Sequence, residues 1–83
     1  MEQHLRHLLD ELSAAIGRTK EDKDREELTR LQGAVEQHLE GGGDDDHGLI
    51  DKFEKAEIRF ESDHPSLGAS LRQAIQSLTA TGI

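Results

Sequence analysis

Leucine and other aliphatic residues recur every three or four positions along most of this chain, which places them on one face of an α-helix. The repeats cover residues 5–16, 28–39, 49–60 and 67–78. Helices with a single apolar face can hide it from water only by packing against each other. The pattern therefore predicts an all-α protein with about four helices.

A run rich in glycine and aspartate, residues 41–48, divides the chain in the middle. Successive glycines and successive like charges are typical of a flexible linker. We expect one domain overall, with an N-terminal helical hairpin over residues 1–40 and a C-terminal helical hairpin over residues 49–83. In the second hairpin, Pro65 suits the first position of a new helix, and His64 before it is a turn residue.

The apolar stripes of the first and second helices do not lie opposite each other if the chain turns near Gly17. Leu12 would then face Asp24, and the far end of the second stripe would overhang. Either residues 18–26 form a loop that slides the second helix along, or a second copy of the chain covers the unpaired ends. The second alternative predicts a bundle within a homo-oligomer, most simply a homodimer. The candidate interface residues are Leu12, Ile16, Val35, His38 and Leu39.

The formal net charge of the chain is −8. A protein this acidic is repelled by nucleic acids and by anionic membrane surfaces, so neither is an expected partner. Acids are concentrated in residues 21–46, which makes this segment a candidate docking site for a basic partner protein. An acidic adaptor is therefore one alternative function.

No stretch of the sequence approaches the ~20 apolar residues of a membrane span, and the N-terminus lacks the apolar core of a signal peptide. The chain has no cysteine, which is compatible with a reducing compartment and leaves no disulfide or thiolate site. We expect a cytoplasmic protein.

His4, His7 and Glu11 lie within about 60° of one another around the first helix. Two imidazoles and a carboxylate can hold zinc or another divalent metal, and residues 44–47 add further oxygen ligands. The opposing interpretation is a solvated polar face, because the sequence pattern provides no fourth ligand for this set. A small metal-binding protein is thus a second alternative.

The sequence contains no arrangement that predicts catalysis. Its serines and threonines do not occur in a nucleophile-elbow pattern, and the glycine run is followed by acids that would repel phosphate. We therefore expect no enzyme activity and no cofactor. The main hypothesis is a non-catalytic structural or protein-interaction module that self-associates through its apolar helix faces.

Two stretches of sequence carry a resemblance to a known family. The first is the leucine-rich run from Glu2 to Leu12, and the second runs from Phe60 through the His-Pro turn to Leu78, with Gly82-Ile83 closing the chain. Together they resemble a family of short bacterial proteins catalogued as a domain of unknown function (number 4404). The resemblance implies a helical architecture and no catalytic residue.

Overall fold

The computed structural model describes residues 2–42 and 46–81. These residues form four α-helices and no strand: α1 (Glu2–Arg18), α2 (Asp22–Leu39), α3 (Asp46–Phe60) and α4 (Pro65–Thr81). The predicted all-α fold is confirmed. Because α3 begins at Asp46, the last three residues of the predicted linker are helical. Residues 43–45 of that linker lie outside the described part of the chain.

The connection between α1 and α2 is short and differs from the predicted one. It consists of residues 19–21, and Gly17 lies inside α1 rather than after its end. Thr19 and Asp22 have the spacing of a capping box for the second helix, but they do not form one. Instead, the Thr19 hydroxyl donates a hydrogen bond backwards to the carbonyl of Ala15 at 2.6 Å, which closes α1. The residue before α2, Glu21, makes no side-chain capping bond.

The observed register of this hairpin resolves the mismatch of its two stripes. The Gln32 side-chain amide donates to the Ser13 hydroxyl at 2.8 Å, so Ser13 lies opposite Gln32. This register places Leu12 at the level of Gly33, between Leu31 and Val35 along α2, rather than at the level of Asp24. The expected mismatch was wrong because it assumed a turn near Gly17, whereas the chain turns later and α2 is displaced along α1. The alternative of a loop over residues 18–26 was wrong in its bounds, because residues 22–26 are helical and only residues 19–21 connect the two helices.

The end of α2 has the hydrogen bonds of a Schellman motif. The Gly41 amide donates to the carbonyl of His38 at 3.1 Å, and the Gly42 amide donates to the carbonyl of Gln37 at 2.9 Å. Gly41 has φ +89°, a conformation that costs little only for glycine. The helix therefore ends where the glycine run begins.

The second hairpin turns at residues 61–64. The His64 amide donates to the carbonyl of Phe60 at 2.8 Å, and Pro65 begins α4 as predicted. The turn is tight, since a Cβ added to Gly68 would lie 3.2 Å from the Glu61 Cγ. On the solvent side, Arg72 of α4 bonds Glu57 of α3 at 2.9 Å.

The apolar stripes of the four helices pack together into one core at the centre of the bundle. Contacts are plentiful between α3 and α4, between α1 and α4, and between α1 and α2, but sparse between α2 and α3. The helices therefore follow the order α2, α1, α4, α3 around the bundle, with its loosest side between α2 and α3. The Cα radius of gyration, 11.7 Å, is that of a compactly folded chain of this length.

Candidate functional site

A surface groove lies on the loose side of the bundle, between α2 and α3. Its volume is about 440 Å³. Basic and apolar residues dominate its lining, which contains a single acid. The lining residues are Glu27, Arg30, Leu31, Lys52, Lys55, Ala56, Arg59 and Phe60.

The floor of the groove is part of the hydrophobic core. The relative solvent-exposed area is 6% for Leu31, 9% for Ala56 and 3% for Phe60. For the other buried apolar residues of the described chain it is at most 1%. Among the buried core residues, these three are therefore the ones that keep the most contact with solvent. This difference follows from the packing, because α2 and α3 do not close over the residues between them.

The rim of the groove carries four cations: Arg30, Lys52, Lys55 and Arg59. The whole chain has only 10 lysine and arginine residues against 18 acids, so the rim gathers a large share of its positive charge. The long aliphatic stems of these side chains also add apolar surface beside the floor. The groove therefore offers a small apolar floor edged with positive charge.

One of these cations ties the two walls of the groove together. The Arg59 guanidinium of α3 contacts the Asp24 carboxylate at 2.7 Å and the Glu27 carboxylate at 3.0 Å, both on α2. The hydrogen bond to Asp24 raises the pKa of Arg59, and the charge of Glu27 raises it further. The same guanidinium lies 5.5 Å from the centre of the Phe60 ring, which favours this position.

The sequence contains a signal for this groove that the predictions of candidate sites did not use. Lys52, Lys55 and Arg59 are spaced three and four residues apart, so they form a basic stripe on α3 beside its apolar stripe. An all-cation stripe is unusual in so acidic a chain. What the sequence could not provide is the partner wall, since the position of Arg30 and Leu31 opposite this stripe depends on how α2 packs.

A second polar cluster lies where the two interhelical connections meet. His64 is 9% exposed, and its Nε2 lies 3.4 Å from the Thr19 hydroxyl oxygen. The single Thr19 hydroxyl proton is given to Ala15, so the hydroxyl can only accept from His64. His64 then carries its proton on Nε2, and its buried Nδ1 has no hydrogen-bond partner. The contact joins the two hairpins, a role that the prediction of a simple turn residue did not include.

The predicted metal site does not form. Within residues 2–42 and 46–81, no three histidine, cysteine, aspartate or glutamate side chains are grouped so that they could hold a metal ion. His7 lies beside Glu11, with 3.8 Å between Nε2 and Oε1. His4 and Glu11 are separated by two helical turns, about 10 Å along the axis, and do not converge. Of the predicted additional ligands, Asp44 and Asp45 lie outside the described residues.

The five candidate interface residues lie in or beside the core of the single chain. Leu12 and Val35 are fully buried at 0% exposure. Ile16, His38 and Leu39 are partly buried. The register of α1 and α2 thus accounts for their apolar character within one copy of the chain, and the homodimer stays a prediction without the mismatch that first suggested it.

The chain matches one family of known proteins. The family model described as Domain of unknown function (DUF4404) matches residues 2–83. Neither the curated proteins nor the solved structures include one that matches the chain. In the described part of the chain, no helix is long and apolar enough to cross a membrane.

Proposed function

The chain belongs to the family of the domain of unknown function 4404, and we propose that it is a non-catalytic protein-interaction module that binds a partner protein through the α2–α3 groove. The observation that carries this proposal is the groove itself, which lies over the core residues Leu31, Ala56 and Phe60 and gathers four of the chain's ten lysine and arginine side chains. Apolar side chains at the base of a groove favour docking of another apolar surface, because their remaining contact with water is lost on binding.

The chemistry of the groove supports binding rather than catalysis. Its lining contains no hydroxyl, thiol or imidazole group, and its one carboxylate, Glu27, is paired with Arg59 at 3.0 Å. The proposed module works without a cofactor, and we place it in the cytoplasm, which cell fractionation would test.

Self-association is a second candidate, and the feature that favours it is Ile58. This side chain on the outer face of α3 is 83% exposed. A second copy packing there would give a homodimer through a different surface from the one expected from the sequence. Light scattering coupled to size-exclusion chromatography tests this candidate: an Ile58→Lys variant should be monomeric where the wild-type chain is dimeric.

Site-specific photocrosslinking in living cells tests the groove as a docking site. A photoreactive amino acid replaces Lys55 at the groove rim or, as the matched control, the exposed Gln73 on α4. We expect a discrete crosslinked product from position 55, identified by mass spectrometry, and none from position 73. Equal products from both positions, or a product from position 73 alone, would contradict the proposal.

A further inference from the structure

We propose that the occupant of the α2–α3 groove is an amphipathic helix of a partner protein whose apolar stripe is flanked by acidic residues. This inference rests on the proposed function and adds the chemistry of the partner. It is drawn from the distribution of charge around the groove, from the strength of the ion pairs at its rim and from its dimensions.

The charge of the groove is opposite to that of the molecule. Its lining contains four cations and one acid, and two further acids, Asp24 and Asp51, pair with Arg59 and Lys55. Cations therefore outnumber acids by four to three here, in a chain whose net charge is −8. An acidic segment approaching the protein is repelled by most of its surface and attracted to this one face. Such an arrangement selects the partner by sign and steers it to the groove.

The rim cations differ in how firmly they are held by acids of the chain itself. The Lys55 ammonium pairs with Asp51 at 3.1 Å, but both side chains are largely exposed, at 77% and 62%. Exposed pairs of this kind contribute little to stability, so Lys55 can exchange Asp51 for a carboxylate of the partner at small cost. Arg59 is held by two acids and keeps its place as the bridge between α2 and α3.

The dimensions of the groove fit a short helix. Its α3 wall runs from Lys52 to Arg59, two helical turns or about 10 Å. Two turns of a partner helix laid along this wall would place one apolar stripe over Ala56 and Phe60. Acidic residues on either side of that stripe would then reach the lysines of one wall and Arg30 of the other.

A designed peptide tests the proposal. The probe is a helical peptide of about 14 residues with leucines on one face and glutamates beside them. Two matched peptides carry glutamine or lysine in place of glutamate. We expect the glutamate peptide to bind the full chain, measured by isothermal titration calorimetry, and the glutamine peptide to bind about tenfold more weakly. Equal or tighter binding of the lysine peptide would overturn the acidic assignment and favour the basic partner expected from the sequence.

Two double variants test whether the glutamate peptide binds in the groove. Lys52→Gln/Lys55→Gln removes two rim charges and keeps long side chains, whereas Lys20→Gln/Lys23→Gln removes the same charge outside the groove lining. All four lysines are exposed, so both variants retain the fold. We expect the rim variant to weaken binding of the glutamate peptide about tenfold and the control variant to change it less than twofold.

A third variant separates the failure of this inference from the failure of the proposed function. Ala56→Met extends a side chain from the floor into the groove, and its thermal melt reports whether it folds. If Ala56→Met abolishes binding while the rim variant binds normally, the groove is a docking site but its partner is not acidic. If neither variant alters binding, or anionic vesicles bind with the same dependence on Lys52 and Lys55, the helix proposal is wrong.

Discussion

At the scale of single residues, the contact between Thr19 and His64 holds the two hairpins together at one end of the bundle. Thr19 closes α1 through its hydroxyl, and the same oxygen accepts from the buried imidazole of His64. The Thr19 side chain therefore links the end of α1 to the turn between α3 and α4. Its loss would leave a buried N–H donor without an acceptor.

Thr19→Val should lower the free energy of unfolding by about 1–2 kcal/mol, because valine keeps the shape and removes the hydroxyl. Thr29→Val is the control: this threonine makes the same backward bond, to the carbonyl of Arg25 at 2.8 Å, but is exposed. Urea unfolding should show a change of at most about 0.5 kcal/mol for the control. Equal losses for both variants would mean that the Thr19–His64 contact contributes nothing.

Two glycines should respond differently to replacement by alanine. A Cβ at Gly33, inside α2, meets nothing within 4 Å, so Gly33→Ala should stabilise the protein by about 0.5–1 kcal/mol. A Cβ at Gly68 would lie 3.2 Å from the Glu61 Cγ and 3.4 Å from its Cα, which offsets the same gain. Urea midpoints compare the two, and a gain at Gly68 as large as that at Gly33 would show that the turn is not tightly packed.

At the scale of the helices, much of the structure could be predicted from the sequence. The apolar stripes identified all four elements, and the His64-Pro65 break correctly marked the start of α4. The register of α1 and α2 could not be predicted, because Thr19 resembles a helix cap in sequence and instead bonds backwards to Ala15. The groove escaped prediction for a similar reason, since its second wall depends on that register.

The register can be tested at Leu12, which is fully buried at 0% exposure. Leu12→Ala should lower the free energy of unfolding by about 2–5 kcal/mol or abolish cooperative unfolding. Ile58→Ala, at an 83% exposed position, should change it by at most about 0.5 kcal/mol. Chemical denaturation followed by circular dichroism measures both. A small effect at Leu12 would favour the rejected register, in which it faces Asp24.

The ion pair between Arg59 and α2 should contribute more to the local stability of α2 than its exposed position suggests, because α2 and α3 have few other contacts. Arg59→Gln should speed amide hydrogen exchange in α2 selectively. Arg72→Gln, which removes a comparable bridge between the well-packed α3 and α4, should leave exchange in α2 unchanged. A uniform effect of both variants along the chain would contradict a specific role for Arg59.

At the scale of the whole molecule, one copy of the chain buries its own apolar stripes. Folding should therefore not require a partner subunit, and the midpoint of thermal unfolding should be the same from about 1 to 100 µM protein. Differential scanning fluorimetry over this range checks the expectation. A midpoint that rises with concentration would mean that a second copy completes the fold, as the homodimer prediction required.

The central claim is that the α2–α3 groove is the surface at which this bundle meets its partner. The most direct test is a ¹H–¹⁵N spectrum of the full chain titrated with the glutamate peptide. We expect the largest shifts in the amides that line the groove, from Glu27 to Leu31 and from Lys52 to Phe60, and little change on the outer faces of α1 and α4. Shifts centred on α1 and α4, or none at saturating peptide, would contradict the claim.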